Sequence, residues 1–495
     1  MKLTDLQPQQ VWKHFHALTQ IPRPSGHMKE VSDFLAAFGR SLGLETIQEP
    51  IGNVIIRKPA SPGYEGKPGV ILQAHLDMVP QKNSDKVFDF EKDPIQAYVD
   101  GEWVTADGTT LGADDGIGVA AAMAILEDKT LAHPALEALF TVDEETGMYG
   151  AEALQGGVLR GSILLNLDCE TEGELYIGCA GGIDTEATFR YEPVPVPEGD
   201  VAVRVILKGL HGGHSGCDIH LQRANAIKLL FEFLKEAVSE YEARLAYVNA
   251  GTLRNAIPRE AEAILTVPAE GKQDLLDLVD FYEDLFIKEY DGVEDDIHLF
   301  AEDFDLSRPF STPLNTSQQP LGLLPEDTQD FLIHAITICP HGVYRMSTDM
   351  PGIVETSNNV AMIDTTGTEV KVFCLSRSNI ETRKQEFVEI LDSVFRLAGA
   401  EVKFSGAYNG WKPNPNSRIL DTMAEVYRQT FPDKEPKVMV IHAGLECGII
   451  STNYPGLDMI SFGPTIVHPH SPSEAVNIAT VGEFYRFLLA TLKSL

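Results

Sequence analysis

The sequence predicts an α/β fold in which a mainly parallel sheet, covered by helices on both faces, is interrupted by an inserted α+β domain. Three observations carry this. Apolar β runs alternate with amphipathic helical stretches over roughly the first third of the chain, the pattern changes character from Ala187, and the alternation returns after Phe404. Strands buried on both faces read as continuous apolar runs, and parallel strands need crossover helices to supply those covers. Two like stretches flanking an unlike middle describe one domain at 1–190 and 400–495, with a second at 191–399 inserted in it.

The elements follow in order. VSDFLAAFGRSL (31–42) has helical periodicity, NVIIRK (53–58) is a strand, and a Pro/Gly turn leads into the buried strand VILQAHLD (70–77). Next come the helix GVAAAMAILED (118–128), the strand ALEALFTVDEE (135–145), a short helix at Tyr149–Leu154 and the strand SILLNLD (162–168). The middle holds VAVRVILKGL as a strand, the loop HGGHSG (211–216), a helix from Ala224 and the strand AEAILTVPAE (261–270). A polar, Pro-bearing stretch from Pro309 precedes the helix FLIHAITI, the segment GIVETSNNVAMI, the strand EVKVFCLSRS and the helix KQEFVEILDSVFRLAG. GTLRNAIPREAEAIL (251–265) and GIVETSNNVAMI (352–363) share a loose Gly…Asn…apolar pattern, so the inserted domain is expected to consist of two similar halves. Hinges are expected at Arg190–Asp200 and Ala398–Tyr408. SRILDTMAEVYRQTF, KVMVIHAG, LDMISFGP and GEFYRFLLATLKS then restore the α/β alternation.

The chain has 495 residues, with 39 Lys+Arg against 73 Asp+Glu, a formal net charge of −34. A hydrophobic fraction of 43% marks a folded protein. So acidic a surface repels phosphate backbones and anionic headgroups, which excludes nucleic acid and membrane surfaces as partners. MKLTDLQPQQVWKHF lacks the apolar core of a signal peptide, and no uninterrupted apolar run approaches ~18 residues, so a cytoplasmic location is expected. The six cysteines are scattered, without a C-x-x-C pair, and are read as buried reduced thiols.

In parallel sheets ligands sit beyond the carboxyl ends of the strands, and here those ends are acidic or imidazole. His75 and Asp77 share a strand face, an arrangement in which a carboxylate orients a metal-binding ring. Asp114-Asp115 lies in a glycine-rich turn before a helix; one aspartate suffices as an N-cap and the second is unexplained. Asp143-Glu144-Glu145 stacks three carboxylates at a strand exit, which costs free energy unless a cation or open solvent accommodates them. Asp168 ends a third strand, and His468-Pro469-His470 supplies late imidazoles. Two His and several Asp/Glu, with no thiolate, suit divalent metals, and their number matches a two-metal site with a general base.

His75-Leu76-Asp77, GADD at 112–115, DEETG at 143–147, NLD at 166–168 and PHSPSE at 469–474 resemble the successive motifs of the co-catalytic dizinc aminoacylase/carboxypeptidase metallopeptidase family. CAGG at 179–182, HGGHSG at 211–216 and IHAGLECG at 441–448 resemble most closely that family's dipeptidases. The resemblance implies a zinc-exopeptidase-like catalytic domain with a lid domain inserted in it, and hydrolysis of dipeptides, Xaa-His (carnosine-like) and others. It implies two divalent ions, zinc first and manganese or cobalt as alternatives. His75, Asp114 and Asp168 would hold one, and Glu145, Asp114 and His470 the other. Asp115 stands as the alternative bridge, because Gly116 occupies the place where the family commonly has a Lys, and His468 as the alternative ligand, His470 being preferred because it directly precedes the S-P-x-E pattern. Glu144 would be the general base, Asp77 the clamp on His75, and His214 the group that reaches the scissile carbonyl. Asn255, Arg377 and Gly444 would contact substrate, with a homodimer through the lid as the expected assembly. Three other readings remain at this stage: deacylation or carboxypeptidase action within the same family, a metal-binding protein that lost its chemistry, and a dinuclear phosphoesterase. The last is disfavoured because the order is H-x-D and no G-N-H-E stretch occurs.

Overall fold

The computed structural model describes residues 2–306 and 322–495, so the polar stretch from Pro309 lies mostly outside the described residues. The chain divides into two compact units, one formed by Met1–Cys179, Trp411–Val440 and Leu445–Leu495, the other by Ala180–Gly410 and Ile441–Gly444.

The first unit is built on an eight-stranded sheet in the order Glu45–Gln48, Val54–Lys58, Leu136–Thr141, Val70–His75, Ile163–Asn166, Asp458–Ser461, Glu174–Cys179, Lys437–Ile441. Val70–His75 pairs in parallel with both Leu136–Thr141 and Ile163–Asn166, and the latter pairs in parallel with Asp458–Ser461. Antiparallel strands flank this parallel centre. Val70–His75 and Leu136–Thr141 are buried along their whole length, as the apolar runs require. Helix Ala113–Glu127 is apolar on every side because it is covered on every side, and it packs on both Val70–His75 and helix Gln9–Thr19. The parallel strands run the same way, so their polar carboxyl-terminal residues gather at one edge.

The second unit has a nine-stranded antiparallel sheet with helices, in which Gly342–Met346 pairs with Val354–Thr365 off the main path, and a two-stranded ribbon, Gly213–His214 with Ala256–Ile257. The order is His298–Phe304, Asp200–Lys208, Ala261–Pro268, Arg244–Ala250, Val354–Thr365, Glu369–Ser378, Gly181–Arg190, Glu401–Tyr408. It reads the same from its centre outward. Asp200–Lys208, helix Ala226–Tyr241, Arg244–Ala250, Ala261–Pro268, helix Lys272–Glu289 and His298–Phe304 form one β-α-β-β-α-β half. Gly181–Arg190, helix Glu326–Ile338, Val354–Thr365, Glu369–Ser378, helix Glu381–Leu397 and Glu401–Tyr408 form the other, and the first half is inserted after its first strand. The halves join through one short antiparallel contact, Asn249 opposite Asp364 and Ala250 opposite Ile363. The two segments matched by sequence are not equivalent: 352–363 falls on the joining strand, whereas 251–265 runs into the strand one place further out.

Two expectations shift. Gly181–Arg190 and Glu401–Tyr408 belong to the second unit, because they pair with each other and with Glu369–Ser378. The segments expected to hinge therefore lie inside that unit, and the chain crosses between units at 179/180, 410/411, 440/441 and 444/445 instead. Of the six cysteines, all free, Cys217 is exposed and the other five are buried.

Candidate metal centre

At the carboxyl edge of the first unit's sheet, His75 is fully buried on its strand end and sits opposite Thr141 in register. Its Nε2 lies 3.1 Å from Asp114 Oδ1 and 3.5 Å from Asp168 Oδ1. The other oxygen of Asp114, Oδ2, lies 3.0 Å from His470 Nε2, and that ring is 3.1 Å from Glu145 Oε2. Asp114 thus turns one oxygen to each imidazole, the disposition of a carboxylate that bridges two cations. Ligand atoms of His75, Asp114 and Glu145 lie within 4.8 Å of one another, and so do those of Asp114, Glu170 and His470. His468 belongs to neither group.

Asp114 and Asp115, joined by a cis peptide, have separate tasks. Asp115 Oδ1 accepts from the Gly118 amide 3.1 Å away and caps the helix, while its Oδ2 accepts from the His75 amide. Asp77, wholly buried, holds the next loop: its oxygens accept from the amides of Glu144 (3.0 Å) and Glu145 (3.2 Å) and from Ser25 Oγ (2.8 Å). Its carboxylate is 3.5 Å from His75 Nδ1, and its backbone carbonyl, at 3.1 Å, is the closer partner of that ring.

The electrostatics describe a pocket short of positive charge. Burial pushes the Glu144 carboxyl well above its ordinary range, Glu145 up to about 7 and Asp168 up to about 6. Asp114 goes the other way: burial opposes ionisation, but hydrogen bonds from His470 and His75 hold it far below the usual carboxylate range. Burial disfavours the charged form of His470, yet Asp114 and Glu145 raise it to about 11. One oxygen of Glu145, Oε1, is buried without a hydrogen-bond partner. Unpaired buried oxygens and crowded carboxylates are stable only against positive charge, and this N/O donor set suits zinc, manganese or cobalt.

Backbone strain collects on the two loops that bring these groups together. Asp143 and Met148 flank the Glu144–Gly147 turn with φ of 56° and 58°, and His468 and His470 have φ of 52° and 59°. Left-handed non-glycine residues cost on the order of 1–3 kcal/mol each and persist where the surroundings over-determine them.

Over residues 71–494 the chain matches the family described as Peptidase family M20/M25/M40. The chain belongs to this family. It is 44% identical over 494 residues to the cytosol non-specific dipeptidase of Escherichia coli (strain K12), covering 100% of this chain and 99% of that protein. The crystal structure of aminoacylhistidine dipeptidase from Vibrio alginolyticus superposes with a TM-score of 0.88 at 45% identity, covering 100% and 98% of the two chains. Aminopeptidase PepT from Bacillus cereus, at 14% identity and a TM-score of 0.57 over 99% of each chain, shares the fold.

For this M20/M25/M40 member, the remaining residues expected to act fall in the second unit. His214 pairs with Ala256 on a two-stranded ribbon, which sets it beside Asn255, whose carbonyl accepts from the Ser215 amide. His214 Nδ1 accepts from the amides of Gly216 (3.2 Å) and Cys217 (3.0 Å), so the neutral ring carries its proton on Nε2. Arg377 is buried, donates to Tyr408 Oη at 2.8 Å and keeps its Nε unpaired. Ser357, across the sheet from Arg377, bonds His442 Nε2 at 2.7 Å, near Gly444.

Sequence reasoning passed over the residues that hold the site in place. The Glu474 carboxylate accepts from four consecutive amides, Leu111 to Asp114, at 2.7–3.3 Å and so ties the PHSPSE and GADD segments together. The buried Arg23 guanidinium bonds the carbonyls of Leu76, Asp77 and Gly112. A Cβ on Gly112 or Gly116 would come within 2.6 Å of its Nη2, so Gly116 makes room for this cation. Glu446 is buried beside Thr141, the residue opposite His75, accepting from Gln73 Nε2 and Thr141 Oγ1 at 2.6 Å. Two of these had a visible signal: Glu446 stands inside IHAGLECG, on the far side of Gly444, and Glu474 closes the PHSPSE segment.

Proposed function

We propose that this chain is a two-metal dipeptidase that hydrolyses dipeptides, Xaa-His and others, with Glu144 as general base. The observation that carries the reading is Asp114, whose two oxygens face His75 and His470 on opposite sides. His75, Asp168 and Asp114 would hold one divalent cation, and Glu145, His470 and Asp114 the other, zinc being the first choice and manganese or cobalt the alternatives. What such cations supply when bound is Lewis acidity, which makes a water more acidic and polarises the scissile carbonyl.

Glu144 takes one proton from the attacking water, whose oxygen adds to the carbonyl carbon. As the C–N bond breaks, Glu144 returns that proton to the amine nitrogen. His214 donates a hydrogen bond from its Nε2–H to the carbonyl oxygen as negative charge develops there, keeping its proton. Asp77 fixes the Glu144–Glu145 backbone, so the base and the neighbouring ligand move as one piece. Arg377, with its unpaired Nε, is suited to the free carboxylate of the substrate, with Asn255 and Gly444 as further contacts. The Escherichia coli relative is named for the cytosol, and we infer the same compartment here; among the described residues no helix is long and apolar enough to cross a membrane.

The test is an assay of metal-stripped protein replenished with Zn²⁺, Mn²⁺ or Co²⁺. Cleavage of Xaa-His dipeptides, with loss of activity when either terminus is blocked, is expected. Preference for N-acyl amino acids or longer peptides would make the chain a deacylase or carboxypeptidase, and no turnover with any metal would make it a metal-binding protein alone.

A further inference from the structure

Glu170 stands two residues beyond Asp168 and is not among the ligands that the sequence motifs supply. In the structure its carboxylate joins Asp114 and His470 in one group whose ligand atoms all lie within 4.8 Å of one another. Its backbone is tied to the segment that leads to His470. The Glu170 carbonyl accepts from the Ile466 amide at 3.0 Å, the Glu172 amide donates to Thr465 Oγ1 at 3.4 Å, and a Cβ on Gly463 would lie 1.9 Å from the Cys169 carbonyl oxygen. The Glu172 side chain anchors the far end of the turn by accepting from Tyr427 Oη at 2.7 Å and Lys434 Nζ at 3.2 Å. The Glu170 carboxylate is thus placed beside His470 by a pinned backbone.

The second observation comes from Glu145. Its side chain is 7% exposed, its Oε2 lies 3.1 Å from His470 Nε2, and its Oε1 is buried without a partner. A buried acceptor left unpaired costs about 1–3 kcal/mol, more when charged, unless a cation takes it. Three carboxylates, those of Asp114, Glu145 and Glu170, therefore surround one imidazole on this side. On the other side Asp114 and Asp168 approach His75 Nε2 at 3.1 and 3.5 Å, and Glu145, which His470 approaches at 3.1 Å, also lies within 4.8 Å of that ring.

We propose that Glu170 is a fourth protein ligand to the cation on the His470 side, an inference that rests on the two-metal reading above. The two positions are then unequal in kind. The His75 side offers one nitrogen and two carboxylates, which suits four-coordinate zinc completed by water. The His470 side offers one nitrogen and three carboxylates, a harder and more oxygen-rich set that favours manganese and higher coordination.

The experiment titrates the metal-stripped full chain with MnCl₂ and reads free Mn²⁺ by its EPR signal, for the wild type, Glu170→Gln and Glu145→Gln. Wild type is expected to bind two ions. Glu170→Gln is expected to keep one site at wild-type affinity and weaken the other by roughly tenfold or more, the scale on which even supporting groups act, and Glu145→Gln to weaken the same site. Melting curves of the metal-stripped variants check folding, and Glu170→Ala provides a second substitution at the position. Two Mn²⁺ bound by Glu170→Gln with wild-type affinities would overturn the proposal and leave the two-metal reading standing. Equal weakening of both sites would mean lost charge rather than a lost ligand, and would also overturn it. A wild type that binds fewer than two ions would overturn both.

Discussion

The two units treat polar groups in opposite ways. The first gathers charged side chains at one sheet edge, buries them, and holds them with backbone amides: Asp77 accepts from two, Asp115 from two and Glu474 from four. The second presents neutral or singly charged groups, such as His214 on its two-stranded ribbon with its proton fixed on Nε2, and Arg377 on the symmetric antiparallel sheet with an unpaired Nε. On the proposed reading, the amide-anchored carboxylates hold the loops whose side chains would meet cations, and the neutral donor and the lone guanidinium would meet a substrate's oxygens. The difference separates residues whose loss should release metal from residues whose loss should leave metal in place.

Substitutions can break that separation. Asp114→Ala removes the carboxylate facing both imidazoles, so turnover is expected to fall at least about a thousandfold and metal content to drop at both positions, read by elemental analysis. His214→Ala is expected to lower kcat by about 10²–10³ with metal content unchanged; a loss of metal there would erase the distinction between the units.

Glu446 tests the first unit. It is fully buried, and burial raises its carboxyl to about 7. A raised acid contributes stability that is complete below its unfolded value and is lost as pH rises through the folded value. The shift amounts to on the order of 3 kcal/mol, lost between about pH 4.5 and 7. In metal-stripped protein, Glu446→Gln is expected to match wild type near pH 4 and to be the more stable of the two at pH 8, measured by chemical denaturation. The smallest effect is Ser25→Ala, which removes the 2.8 Å hydrogen bond to Asp77 and is expected to cost roughly 1 kcal/mol without altering metal content.

Much of the catalytic unit was legible because its signals are local. Continuous apolar runs marked the central strands, and the polar residues at their ends marked the site. Arg23 and Glu170 were not legible, because each acts across 53 or more positions of sequence and carries no spacing signature of its own; Glu474 stands in PHSPSE, but the amides it binds lie 360 or more positions away. The symmetry of the second unit was visible only as a weak pattern, and the segments that carried it prove non-equivalent in the sheet, because equivalence is set by strand order rather than by shared residues. Strands 181–190 and 401–408 fall across the boundary that the sequence suggests for the same reason: each pairs with a partner far along the chain.

The central claim is that Glu144 moves protons while its neighbours hold metal. The most direct measurement is turnover of an Xaa-His dipeptide by Glu144→Gln, with metal content determined on the same preparation. Turnover below about a thousandth of wild type with two metals still bound is the result this account predicts. Turnover near wild type, or a loss of metal that accounts for the lost activity, would contradict it.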